Sequence, residues 1–173
     1  KMLRFGFPVM VAGLAYAVNE TFDRILLDYL LPPETAESQI GEYSACYKLA
    51  LFITLFATAF RLGIEPFFFS HSKEKNSKET YAVITKYFVL IGLGILLSVI
   101  VFVDVLKELF ISDESYWEAM TVVPYILLAN LCLGIYFNLS VWYKITDRTK
   151  FGAYFSVVGA LVTLTLNFWL IPL

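Results

Sequence analysis

Apolar residues in this chain come in runs bounded by charged clusters, and the runs have the length of membrane spans. Tyr87 to Val103, Ala119 to Tyr143 and Phe151 to Leu173 contain no charged residue. A hydrocarbon core about 30 Å thick is crossed by roughly 20 helical residues. The last two runs meet that length alone. The first meets it once Tyr81 to Lys86 and Asp104 to Phe110 serve as interfacial turns. Two further runs are interrupted. Leu3 to Leu31 is apolar as far as Val18 and then carries Glu20, Asp23, Arg24 and Asp28. Tyr43 to His71 contains Lys48, Arg61 and Glu65. A charge at mid-helix costs about 2.5–3.5 kcal/mol, whereas each Leu, Ile, Phe or Val returns only about 0.3–0.6 kcal/mol. These two helices therefore need partners, and their charges are expected to face the protein interior. The predicted spans are about 4–31, 43–71, 81–110, 119–143 and 151–173.

The loops between the spans test that count. Lys1 and Arg4 flank the first span; the loop Pro32–Gly41 has Glu34 and Glu37 and no Lys or Arg. Lys73, Lys75 and Lys78 follow the second span. The connection Asp104–Glu118 sets Lys107 against Asp104, Glu108, Asp113, Glu114 and Glu118. Lys144, Arg148 and Lys150 join the last two spans. Lys and Arg thus alternate rich and poor, which is the positive-inside pattern of five spans with a cytoplasmic N-terminus. Removing either interrupted segment as a span breaks the alternation.

Composition agrees. The chain has 173 residues, 59% hydrophobic and 16% charged, against roughly 25% charged in a soluble domain. Its mean hydropathy is +0.71. Thirteen Lys and Arg against fifteen Asp and Glu leave no basic excess for a nucleic-acid partner. The fold class is all-α, a polytopic membrane helix bundle forming a single transmembrane domain over residues 1–173. No cleavable signal peptide follows the opening Lys1-Met2-Leu3-Arg4. An odd number of spans predicts a piece of a longer, transporter-like chain. Enzyme motifs are missing: His71 stands at a helix end, Cys46 and Cys132 are isolated, and no phosphate-binding glycine loop occurs. Neither a metal site nor any other cofactor is expected.

Helix phase then selects candidate residues. In the second span Ser44, Tyr47, Lys48, Thr54, Thr58, Arg61 and Glu65 fall mostly on one side. Arg61 and Glu65 are four apart and can pair, as can Glu20 and Arg24. In the first span Tyr16, Asn19, Glu20 and Asp23 recur at helical spacing. Asp23, Arg24 and Lys48 lie toward the outer leaflet, Arg61 and Glu65 in the inner half. Such intramembrane charges mark a substrate or ion pathway; the alternatives are purely structural pairs and, for Arg24 and Lys48, snorkelling to the outer headgroups. Gly152, Ser156, Gly159, Thr163 and Asn167 read as a close-packing face of the last span. Gly94 and Ser98 aside, the third span has almost nothing polar and is expected to face lipid. Asn130, Gly134 and Asn138 share one side of the fourth span, the two amides more often interhelical hydrogen-bond partners than ligands.

The order of these features resembles the polysaccharide-transporter branch of the multidrug/oligosaccharidyl-lipid/polysaccharide exporter superfamily. The resemblance lies in Arg4-Phe5-Gly6-Phe7-Pro8, in Asn19-Glu20-Thr21-Phe22-Asp23-Arg24, in Gly41-Glu42-Tyr43-Ser44 and in Phe60-Arg61-Leu62-Gly63-Ile64-Glu65-Pro66-Phe67. It covers nearly the whole chain and implies most of the second bundle of a two-bundle transporter. It further implies a flippase, not an enzyme, of the bacterial inner membrane, moving an undecaprenyl-pyrophosphate-linked oligosaccharide outward by alternating access. Its partners would be that substrate, the bilayer, the remainder of the transporter and other glycan-assembly membrane proteins. Arg24, Lys48 and Arg61 would then meet the pyrophosphate. Tyr16, Asn19 and Tyr47 would meet sugar, and Glu20, Asp23 and Glu65 would balance charge or carry a coupling proton. A cation-coupled multidrug antiporter of the same superfamily and a membrane enzyme of glycan assembly are the competing readings.

Overall fold

The computed structural model describes residues 2–74 and 76–171, with the side chains of residues 2–5, 19, 20, 23, 24 and 33–35 outside the described set. Six α-helices account for most of it: α1 Met2–Leu30, α2 Pro33–Ser70, α3 Ser77–Val101, α4 Val103–Phe110, α5 Val123–Ile145 and α6 Lys150–Leu170. Two short 3-10 turns, Glu114–Tyr116 and Glu118–Val122, join α4 to α5. No strand occurs among the described residues. The chain is an all-α polytopic membrane bundle. Ala36–Ser70, Ser77–Val101, Glu114–Ile145 and Lys150–Leu170 are each long and apolar enough to cross a membrane. Gly6–Val18 is the shorter apolar stretch described in α1.

Local chemistry explains the breaks between helices. Pro32 and Pro33 separate α1 from α2. A residue preceding proline is pushed out of the helical region, whereas proline itself suits the first helical position, where an N–H has no partner to lose. The stretch expected as a loop over Pro32–Gly41 is therefore almost entirely the first turns of α2. The expected single helix over 81–110 is divided at Phe102, whose φ of −100° and ψ of 16° leave the helical region. The hydroxyl of Ser98 donates to the carbonyl of Gly94 at 2.8 Å, a back-bond that bends helices, just before that break. Between α5 and α6, Asp147 adopts φ 56°. The Arg148 N–H reaches back to the Tyr143 carbonyl at 2.8 Å and the Asp147 N–H to that of Lys144 at 3.4 Å. This is a Schellman stop with aspartate in the place glycine usually takes.

The chain divides into two bodies. The first comprises Lys1–Ile40 with Trp142–Leu173. Within it α1 packs along α6. α6 buries Gly152 and Ala160, with Ser156, Thr163 and Asn167 half-buried on the same face. Gly159 is exposed, with nothing within 4 Å of where its Cβ would be. The close-packing face therefore runs through Ala160 and not through Gly159. At Gly152 the approach is closest: a Cβ there would stand 2.7 Å from the Tyr143 ring.

The second body, Gly41–Val141, holds the larger apolar core. α2 contributes Leu49 and Ile53, α3 contributes Phe88, Leu96 and Val99, and α5 contributes Val123, Leu127 and Leu131. Phe88 is fully buried. It stacks on Phe56 with centroids 5.1 Å apart and tilts against Phe60 at 4.8 Å. Its ring edge rests on Gly134, where a Cβ would lie 2.7 Å from Phe88 Cζ and 3.1 Å from Ala57 Cβ. So α3 presents more than a lipid face: the row Phe88, Gly92, Leu96 and Val99 is buried, while Gly94 and Ser98 point outward. The α4–α5 connector closes one end of this core. Ile111 and Met120 are buried in it, and the thiol of Cys46 donates to the Ala119 carbonyl at 3.2 Å. Tyr116 covers Gly41, and the ammonium of Lys107 lies 5.1 Å above the Trp117 ring. The carboxylate of Asp113 accepts from the N–H and hydroxyl of Ser115, bonds that hold its pKa below the usual carboxylate range.

Candidate functional site

Position on α2 is decided by which face its apolar residues bury. Ala45, Cys46, Leu49, Ala50 and Ile53 form the buried row. The predicted polar row lies on the other side: Lys48, Thr54 and Thr58 are exposed, and Ser44, Tyr47, Arg61 and Glu65 are half-buried. The charges of α2 therefore do not enter the core of their own body. Thr54 returns its hydroxyl to the Ala50 carbonyl at 3.3 Å. Tyr47 packs against the core edge and lies 5.0 Å from the Tyr43 ring.

Arg61 differs from the rest. Its guanidinium sits 4.7 Å from the centroid of the Phe137 ring on α5. That contact contributes from about 0.5 to 2 kcal/mol depending on how far water is excluded. It fixes a permanent positive charge at the α2–α5 seam, close to where Ala57 meets Gly134. Glu65, the partner that helix phase offers Arg61, is half-buried one turn further along α2. Phe137 went unnoticed because its aromatic ring reads as ordinary packing in a chain with sixteen Phe. Beside it on α5, Asn138 is buried and Asn130 half-buried.

In the other body Tyr16 is exposed at the described part of α1. Asn19, Glu20, Asp23 and Arg24 belong to α1 by backbone, and their side chains lie outside the described residues. Asp28 is exposed and, with Ala36, Glu37 and Ile40, lines a small open cavity at the α1–α2 turn.

A bundle of apolar helices with one arginine held at a helix seam has the chemistry of a membrane transporter. The family comparison decides which kind, because the MatE family model matches residues 8–169. The chain belongs to the MatE family. It is thus a membrane exporter of the multidrug/oligosaccharidyl-lipid/polysaccharide superfamily, and its family members are transporters. No curated protein and no solved structure matches this MatE chain.

Proposed function

We propose that this MatE protein serves as a flippase for an anionic, lipid-linked oligosaccharide, carrying a pyrophosphate-borne glycan across a bacterial inner membrane by alternating access. The observation that supports the reading is Arg61, a guanidinium half-buried within a membrane span and held over Phe137. A cation kept at that depth is costly unless an anion repays it, and a planar guanidinium suits phosphate oxygens. Lys48 and Arg24 would extend the cationic path toward the outer leaflet, with the N-terminus cytoplasmic as the loop charges suggest. Glu20, Asp23 and Glu65 would balance charge or carry a proton, and Tyr16, Asn19 and Tyr47 would meet sugar. The remaining helices of a two-bundle transporter would complete the cavity, with other glycan-assembly proteins as neighbours.

An antiporter of lipophilic cations would use acidic and aromatic cavity walls. Here Phe88 with Phe56 and Phe60 is spent on the core, and the polar seam carries an arginine. The test is transport by the full-length protein. Arg61→Ala is expected to slow glycan flipping about 10–100-fold, the loss of one charge-assisted hydrogen bond, with Arg61→Lys recovering part. Wild-type glycan export by Arg61→Ala, or efflux of an organic cation such as ethidium with no glycan movement, would refute the reading.

A further inference from the structure

The side of α3 turned away from the core carries an open groove of about 630 Å³. It is lined by Phe52 of α2, by Ile91, Gly94 and Ser98 of α3, and by Phe102 and Val105 at the α3–α4 break. Gly94 keeps it open, because nothing lies within 4 Å of where a Cβ would be. The hydroxyl of Ser98 is tied back to the Gly94 carbonyl at 2.8 Å, so the walls present hydrocarbon. α4 returns toward α2, where the Phe110 ring meets Phe52 edge-on at 5.8 Å, and bounds the groove at that end. From Ile91 to Phe102 the groove follows α3 for about 16 Å at roughly 1.5 Å per residue. That is the depth of one leaflet in a hydrocarbon core about 30 Å thick. Charges begin where the span Ser77–Val101 ends. Asp104 and Glu108 are exposed, one turn apart beside Val105 on α4. Lys107 is half-buried, its ammonium 2.6 Å from Asp104 Oδ1 and 5.1 Å above the Trp117 ring.

We infer that this groove holds one acyl chain of a zwitterionic, amine-headed phospholipid, with the headgroup at Asp104, Lys107 and Glu108. The inference is independent of the flippase reading. A groove left empty forfeits the dispersion contacts of its walls, and a hydrocarbon chain restores them. Its length suits a chain confined to one leaflet. A membrane-spanning helix from a neighbour needs about 30 Å and would run into α4. The rim then selects the headgroup. Two exposed carboxylates accept N–H bonds from an ammonium. Lys107 has further N–H donors beyond the one that Asp104 takes, and these suit a phosphate oxygen. A purely anionic head, such as that of phosphatidylglycerol or a polyprenyl diphosphate, would face both carboxylates with no cation of its own to set against them.

The test uses the full-length transporter in detergent, titrated with dioleoyl phosphatidylethanolamine or dioleoyl phosphatidylglycerol, with bound lipid counted by native mass spectrometry. The wild-type protein is expected to hold phosphatidylethanolamine about tenfold more tightly than phosphatidylglycerol, the worth of one charge-assisted hydrogen bond. Gly94→Leu and Ser98→Leu each put a side chain into the groove and should weaken that binding about tenfold or more. Whichever of the two melts at the wild-type temperature decides the point. Asp104→Asn combined with Glu108→Gln should bring the two lipids to equal affinity. Gly159→Leu, at an exposed position of α6, should leave binding unchanged. Wild-type binding by the groove variants overturns the inference, and so does equal affinity of the wild-type protein for the two lipids. Displacement of phosphatidylethanolamine by a polyprenyl diphosphate overturns it by giving the groove to the substrate tail. A dimer that Gly94→Leu splits overturns it by giving the groove to a second copy. None of these readouts is transport, so the flippase reading stands or falls separately.

Discussion

Gly134→Ala adds one methyl at a closely packed point of the second body. The new Cβ would stand 2.7 Å from Phe88 Cζ, 3.3 Å from Phe88 Cε1 and 3.1 Å from Ala57 Cβ. Ordinary contact begins near 3.4 Å, so the ring edge must retreat by about 0.7 Å, the difference 3.4 − 2.7. It has little room to do so. Phe88 is fully buried, with Phe56 stacked on it at 5.1 Å and Phe60 at 4.8 Å. Overpacking of this kind costs about 1–3 kcal/mol. Helix propensity works the other way, because alanine replaces glycine inside a helix with a gain of about 1 kcal/mol. The net expectation is a loss of up to about 2 kcal/mol. At about 2–4 °C per kcal/mol for a domain of this size, the melting temperature in detergent falls by several degrees. Phe88→Leu shortens the ring and should relieve the clash. The double variant Gly134→Ala with Phe88→Leu should therefore be more stable than the sum of the two single losses, by about 1 kcal/mol or more. A Gly134→Ala protein that melts at or above the wild-type temperature, or a strictly additive double variant, refutes the reasoning.

Three further substitutions probe the first body. Asp147→Gly removes the left-handed strain at φ 56° and should stabilise the protein by roughly 0.5–1 kcal/mol, read as a rise in melting temperature. Ala160→Leu should cost about 1–3 kcal/mol by overpacking, whereas the larger change Gly159→Leu should be tolerated within about 0.5 kcal/mol. Equal losses at the two positions would show that the buried face of α6 had been misassigned.

Much of the fold was legible because hydropathy and charge are read directly by the membrane. The runs 87–103, 119–143 and 151–173 each coincide with a helix of the structure over most of their length, with a break at Phe102 in the first and the 3-10 turn Glu118–Val122 opening the second. Local backbone chemistry was harder to see. Pro32-Pro33 looks like a loop, yet proline suits a first helical turn, so α2 starts there. Face assignment failed where two small residues are adjacent. Gly159 and Ala160 fit one packing stripe equally well in sequence, and only the direction of the side chains separates them. Arg61 was legible as a candidate, because a charge in an apolar run stands out. Phe137 was not, because cation–π partners come from another helix and leave no spacing signal. The polar row of α2 lies away from the apolar core of its own body, a choice of face that periodicity alone cannot make.

The thiol of Cys46 lies beneath the α4–α5 connector, bonded to the Ala119 carbonyl and 2% exposed. It is therefore a built-in clock. An alkylating reagent can reach it only when the connector lifts from α2, so the labelling rate counts openings of that seam. Slow labelling that quickens during turnover would date those openings to the transport cycle. A rate indifferent to substrate would mark the seam as a fixed hinge post.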